Sequence, residues 1–157
     1  MSANTENSKP TPGPSVLNER TITGVFVHLI GLLPIIGLPI VGLISFVSSH
    51  PFTRTNALNV INWYLSVLVV TVPGFVCILL GGEPTNQAGE VIGNPIIPGP
   101  IGTAFAIVGV VLLLLTVAAS FSTPFLAVYA TYKAIRGSAM EYPFARRFLG
   151  THPEAEA

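Results

Sequence analysis

Charge is what this sequence has least of. Of its 157 residues only 9% are charged, seven acidic and seven basic, where soluble domains carry about 25%. A small soluble domain needs a polar coat, because its surface is large relative to its volume. These charges are too few to make one. With half of the residues hydrophobic, lipid is the simplest solvent for the exposed surface. The exact balance of basic and acidic side chains argues against nucleic acid as a partner. Cysteine is nearly absent. Cys77 alone excludes an intrachain disulfide and a cysteine-cluster metal site, and its apolar surroundings make it a buried, inert thiol. Histidine is scarce too, and His28, His50 and His152 have no spacing suited to one metal ion. There is no Gly-rich phosphate loop, no pair of acids inside an apolar run, and no serine–histidine–aspartate set. Glu83 and Glu90 lie in a polar loop, where solvation accounts for them without acid–base catalysis. The expectation is a protein that is not an enzyme and uses no cofactor or metal.

What is abundant is apolar sequence, and it falls into three segments. Residues 1–19 are polar and proline-containing, too poor in apolar surface to offset ordering entropy, so a disordered tail is expected. The first hydrophobic segment covers 22–47, about 26 residues, enough to cross a core of about 30 Å. Pro34, Gly37 and Pro39 interrupt it. Two architectures fit: one kinked span, or a re-entrant hairpin whose arms are each too short to cross alone. The length favours the single span. After a polar link from Ser48 to Thr55, the second segment covers 56–80, with a bend expected at Pro73-Gly74. A loop over 81–100, rich in Gly, Pro and Asn, is expected to be exposed and largely irregular. The third segment covers 101–132, longer than a bilayer needs, with Pro124 offering a kink. A helical membrane domain over 20–150 and an acidic tail over 151–157 complete the chain. The fold class is all-α, a small transmembrane bundle.

Basic residues give an orientation. Cytoplasmic flanks collect lysine and arginine. Lys133, Arg136, Arg146 and Arg147 follow the third segment, Arg54 precedes the second, and the loop 81–100 has neither residue type. The C-terminus and the Arg54 link therefore belong in the cytoplasm and the loop outside, in a multi-pass protein of the cell membrane. Three spans would put the N-terminus outside, against the pull of Lys9 and Arg20. A re-entrant first segment would return it to the cytoplasmic side.

A few polar residues stand out against this background. Asn56, Asn59, Asn62 and Ser66 recur at helical spacing on one face. Unpaired amides in hydrocarbon cost several kcal/mol, so this face meets protein, water or headgroups. It is either interhelical hydrogen bonding or the wall of a polar conduit. His28 is the ionisable side chain deep in the first segment, a candidate for proton or ligand handling or a neutral ring bonded to a carbonyl. Small residues mark close helix contacts: Gly102, Ala106 and Gly109 on one face, and Thr123, Ala127, Thr131 and Ala134 on another. The basic and aromatic residues around Lys133, Arg136, Arg146 and Arg147 suit anionic headgroups or a soluble partner.

Three stretches carry a family resemblance. Val27-His28-Leu29-Ile30-Gly31 resembles the histidine–leucine–x–glycine opening of a prokaryotic family of small uncharacterised multipass membrane proteins. His50-Pro51-Phe52-Thr53-Arg54 with Asn62 resembles its central stretch. Ala134-Ile135-Arg136-Gly137, Tyr142-Pro143 and Arg147-Phe148 resemble its C-terminal signature. The family has histidine where this chain has Asn56. It is distantly similar to the Tic-twenty subunit of the chloroplast inner-envelope translocon, which implies a membrane protein without known catalysis and, by analogy, a role near translocation. Residues and resemblance together lead to a non-enzymatic scaffold or accessory subunit of a membrane complex, in contact with the bilayer and with a membrane-protein partner or a second copy. The alternative is a small oligomeric channel or transporter using the Asn56, Asn59 and Asn62 face and His28.

Overall fold

The computed structural model describes residues 20–33 and 35–149. The tails expected over 1–19 and 151–157 lie outside the described residues, as does Pro34. Among the described residues there are four helices and no strand: α1 (Ile22–Ile30), α2 (Gly37–Val47), α3 (Pro51–Gly81) and α4 (Gly99–Ile135). α3 and α4 are each long and apolar enough to cross a membrane.

The first hydrophobic segment does not form the single kinked span that its length suggests. It forms two short helices folded into a hairpin. The pairings with α3 establish this. The Thr21 and Thr53 hydroxyls are hydrogen-bonded, His28 bonds Asn56, and the Gly31 carbonyl accepts from the Tyr64 hydroxyl. Rising numbers in α1 meet rising numbers in α3, so the two run parallel. Only three residues separate the end of α2 from the start of α3, and Leu38, Gly42, Ser45 and Phe46 of α2 line one cavity with α3 residues between Arg54 and Thr71. α2 therefore runs antiparallel to α3. Both ends of the segment lie at the same end of the bundle. Arms of 9 and 11 residues reach roughly 14 and 17 Å at about 1.5 Å per residue, each too short to cross the core.

Local chemistry explains the reversal. Thr21 caps α1, its Oγ1 accepting from the Gly24 amide at 3.0 Å. At the other end the Leu32 and Leu33 amides bond back three residues to Leu29 and Ile30, tightening the last turn. Ile35 takes a left-handed backbone with φ of 66°, an unfavourable conformation for a β-branched residue. Gly37 opens α2 where the arms touch: a Cβ there would lie 2.3 Å from the Ile30 carbonyl oxygen, so only glycine fits.

α3 starts earlier than its polar first residues imply. Residues 51–55, expected as a link, form its first turns, with Pro51 at the helix start, where its missing N–H costs nothing. Helix continues through Pro73 and, in α4, through Pro124. α4 lies antiparallel to α3, as the pairs Trp63–Thr123 and Thr71–Thr116 show. The two approach closely near the loop, where a Cβ on Gly81 would sit 2.0 Å from the Gly102 carbonyl oxygen.

The loop joining them is more ordered than its composition suggests. Thr85 and Val91 form an isolated antiparallel bridge. Asn86 Oδ1 accepts from the Ala88 and Glu90 amides, each at 2.9 Å, and Gly89 supplies a left-handed turn at φ 81°. Gly137, φ 80°, stops α4 just past its last residue: the Gly137 amide bonds the Ala134 carbonyl and the Ser138 amide the Lys133 carbonyl, a Schellman motif. The remaining residues to Leu149 fold back across the start of α3. The buried core joins every element: Val27, Val41, Ala57, Val60, Trp63, Ala130, Met140 and Tyr142.

Candidate functional site

The polar face of α3 is where the hairpin, α3 and the C-terminal segment meet. His28 and Asn56 are fully buried. Asn56 Nδ2 donates to the Phe52 carbonyl at 3.0 Å, which leaves Asn56 Oδ1 to accept from His28 Nε2, also at 3.0 Å. His28 then carries its proton on Nε2, and Nδ1 accepts from the Tyr142 hydroxyl at 3.0 Å. Both ring nitrogens of a neutral imidazole are satisfied, so the histidine is tied to α3 on one side and to the C-terminal segment on the other. Tyr142 also stacks on Trp63, with ring centroids 5.5 Å apart. Burial, and secondarily Tyr64, push its phenol above the ordinary range, favouring the neutral form that donates to His28. The Trp63 indole donates to Thr123 on α4 at 3.0 Å.

The other members of the stripe hold the C-terminal segment by its backbone. Asn59 Nδ2 donates to the Met140 carbonyl at 2.9 Å. Asn62 Nδ2 donates to the Leu149 carbonyl at 3.0 Å, and its Oδ1 accepts from the amides of Phe148 and Leu149 at 3.1 and 2.9 Å. Ser66 Oγ accepts from the Arg146 amide at 2.7 Å. One helical face thus supplies side-chain partners to a segment that has no regular structure of its own, and so meets the demand that buried backbone groups be paired.

The model of the MamF/MmsF family, described as the magnetosome magnetite crystal formation protein family, matches residues 19–149. That range takes in the hairpin, both long helices, the loop and the C-terminal segment. The chain belongs to this family. It is therefore a membrane protein of the MamF/MmsF family, in keeping with a small membrane-protein family read from the sequence. The further likeness to the Tic-twenty subunit receives no support. No curated protein and no solved structure matches the chain.

The remaining candidate residues of this family member fall into three places. Gly102, Ala106 and Gly109 face α3: the Gly81 site meets the Gly102 oxygen and the Ala106 nitrogen, and a Cβ on Gly109 would lie 2.8 Å from the Ile78 nitrogen. Thr123, Ala127, Thr131 and Ala134 are buried, and Thr131 bonds its own helix at Ala127. The basic side chains gather at the other end of α4 from the loop. Lys133 lies over the Tyr129 ring and Arg136 over Tyr132, at 5.7 and 5.5 Å. Arg147 pairs with Glu141. Glu83 and Glu90 are exposed in the loop at the opposite end, Glu90 accepting from Asn86 at 2.8 Å. Among the described residues no group of three or more His, Cys, Asp or Glu side chains stands together as a metal site.

Sequence reasoning singled out His28 and the asparagines but missed Tyr142 as the group that joins them. Its signal was the Tyr142-Pro143 pair, an aromatic followed by a rigid residue in the stretch after α4. The pairs that clamp α1 to α3, Thr21 with Thr53, left no signal that would set them apart from other threonines.

Proposed function

We propose that this chain is a non-enzymatic structural component of the magnetosome membrane, taking part in magnetite crystal formation through the face that carries the loop 81–100. The observation that carries the reading is the division of charge between the two ends of a bundle belonging to a magnetite crystal formation family. Arg54, Lys133, Arg136, Arg146 and Arg147 gather at one end, and the loop at the other has Glu83 and Glu90 with no lysine or arginine. The basic end belongs on the cytoplasmic side. The loop then faces the compartment in which mineral grows, and its carboxylates attract cations there. A structural role is supported by the polar face of α3, whose amides are hydrogen-bonded to the chain's own backbone and to His28. Accessory binding to a membrane partner or a second copy fits the broad apolar surfaces of α3 and α4.

The test is genetic and microscopic. In a magnetite-forming host lacking this chain, electron microscopy should show crystals altered in size or shape, restored by the wild-type sequence. Glu83→Gln with Glu90→Gln should restore membrane insertion but not crystal dimensions. Crystals unchanged by the loss of the chain would overturn the proposed role. Full rescue by the double variant would remove the loop carboxylates from it.

A further inference from the structure

α2 and α3 leave a groove between them of about 730 Å³. Leu38, Gly42 and Phe46 form one wall and Leu58, Leu65 and Leu68 the other, with Arg54 at one end and Thr71 at the other. From Arg54 to Thr71 is about 26 Å along α3 at about 1.5 Å per residue, a little more than the roughly 20 Å of one leaflet with its headgroups. Because the hairpin turns back midway, the groove belongs to the leaflet at the basic end. A second, more polar cavity of about 430 Å³ adjoins it, sharing Arg54, Leu58 and Leu149 and adding Ser49, Thr55, Glu141 and Arg147. The two form one amphiphilic site, a polar cup above an apolar trough. Arg147 is paired with Glu141, and no ion pair joins Arg54 to a carboxylate among the described residues, so Arg54 brings the cup an uncompensated positive charge.

We propose that this site binds one anionic glycerophospholipid of the surrounding bilayer, its phosphate on Arg54 and an acyl chain in the groove. The shape matches an amphiphile that enters from its own leaflet, and the charge at the mouth matches an anionic headgroup. A second copy of the chain seated on the groove would bury the Arg54 charge without a partner, which is costly.

Native mass spectrometry of the full chain in mild detergent tests this, with phosphatidylglycerol and phosphatidylcholine of identical acyl chains offered in equal amounts. Wild type should retain phosphatidylglycerol preferentially. Arg54→Gln should reduce that preference about fivefold, the ratio corresponding to about 1 kcal/mol per cation at a membrane surface. Glu141→Gln should increase it, by releasing Arg147, an effect that a purely structural Glu141 would not produce. A Cβ on Gly42 meets nothing within 4 Å, so Gly42→Phe should fill the groove and lower retention of both lipids. If that variant fails to fold, Gly42→Leu serves the same purpose, and thermal unfolding reports which is intact. Equal retention of the two lipids by wild type, an unaltered preference in Arg54→Gln, or unaltered retention in a folded Gly42 variant would each overturn the proposal. So would competition by free glycerol phosphate as effective as that by phosphatidylglycerol, the mark of a soluble-phosphate site, or recovery of a lipid-free dimer.

Discussion

Asn62 makes three hydrogen bonds to backbone 86 and 87 residues away, and Ser66 makes one to the Arg146 amide. The difference sets an order of effects. Each such bond contributes about 1 kcal/mol net, and a partner left unsatisfied costs more. Asn62→Leu should destabilise the protein by about 2 kcal/mol or more and free the C-terminal segment to proteolysis, whereas Ser66→Ala should cost about 1 kcal/mol. Unfolding in detergent with limited proteolysis checks both, and a neutral Asn62→Leu would mean that the segment is held by its apolar contacts alone. The stripe itself was legible in the sequence, because amides three and four residues apart in an apolar run are conspicuous. Its partners were not. Backbone carbonyls and amides at Met140, Phe148 and Leu149 have no side-chain signature, and nothing in the spacing says that residues 138–149 return to α3.

The hairpin shows where reading stops at the scale of an element. About 26 apolar residues are enough to cross, so length points to a single span, and the prolines and glycines that break it suit a span and a hairpin alike. What decides is the close approach of Gly37 to Ile30 and the parallel pairing of α1 with α3, both tertiary facts. The pairing gives a direct check. With Cys77 replaced by serine, cysteines placed by Thr21→Cys and Thr53→Cys should be joined efficiently within one chain by a short crosslinker. A single span would hold them on opposite faces of the membrane and yield no product. The small-residue contacts were more legible, since glycine in an apolar helix is useful chiefly where backbones approach. They also differ in a way that can be measured. A side chain at Gly109 would collide with Ile78 and the Gly74 carbonyl, and one at Gly42 meets open space. Gly109→Leu should therefore destabilise the protein by about 1–3 kcal/mol or more through overpacking, while Gly42→Leu should be neutral or slightly stabilising because leucine favours helix over glycine. Paired melting curves in one detergent would show this contrast, and equal losses would contradict the α3–α4 crossing.

For the whole molecule the hairpin changes the arithmetic of orientation. A kinked first span gives three crossings and places the two termini on opposite sides, leaving Lys9 and Arg20 on the side that basic residues avoid. A hairpin with two crossing helices returns the start of α1 to the end that holds Arg54 and the residues after α4. Arg20, Arg54, Lys133, Arg136, Arg146 and Arg147, the six basic residues among those described, then share one side. No arrangement of three full spans achieves this. The consequence is a labelling pattern in sealed membranes, with Cys77 replaced by serine. Single cysteines at position 3 and position 152 should both be protected from an impermeant thiol reagent applied to the face on which a cysteine at position 87 reacts, and both should become reactive when the membrane is opened. Position 3 reacting together with position 87 would restore the single span and separate His28 from Asn56 by much of the bilayer. That outcome is incompatible with the 3.0 Å bond between them, so the side on which the N-terminus lies and the buried His28–Asn56–Tyr142 connection stand or fall together.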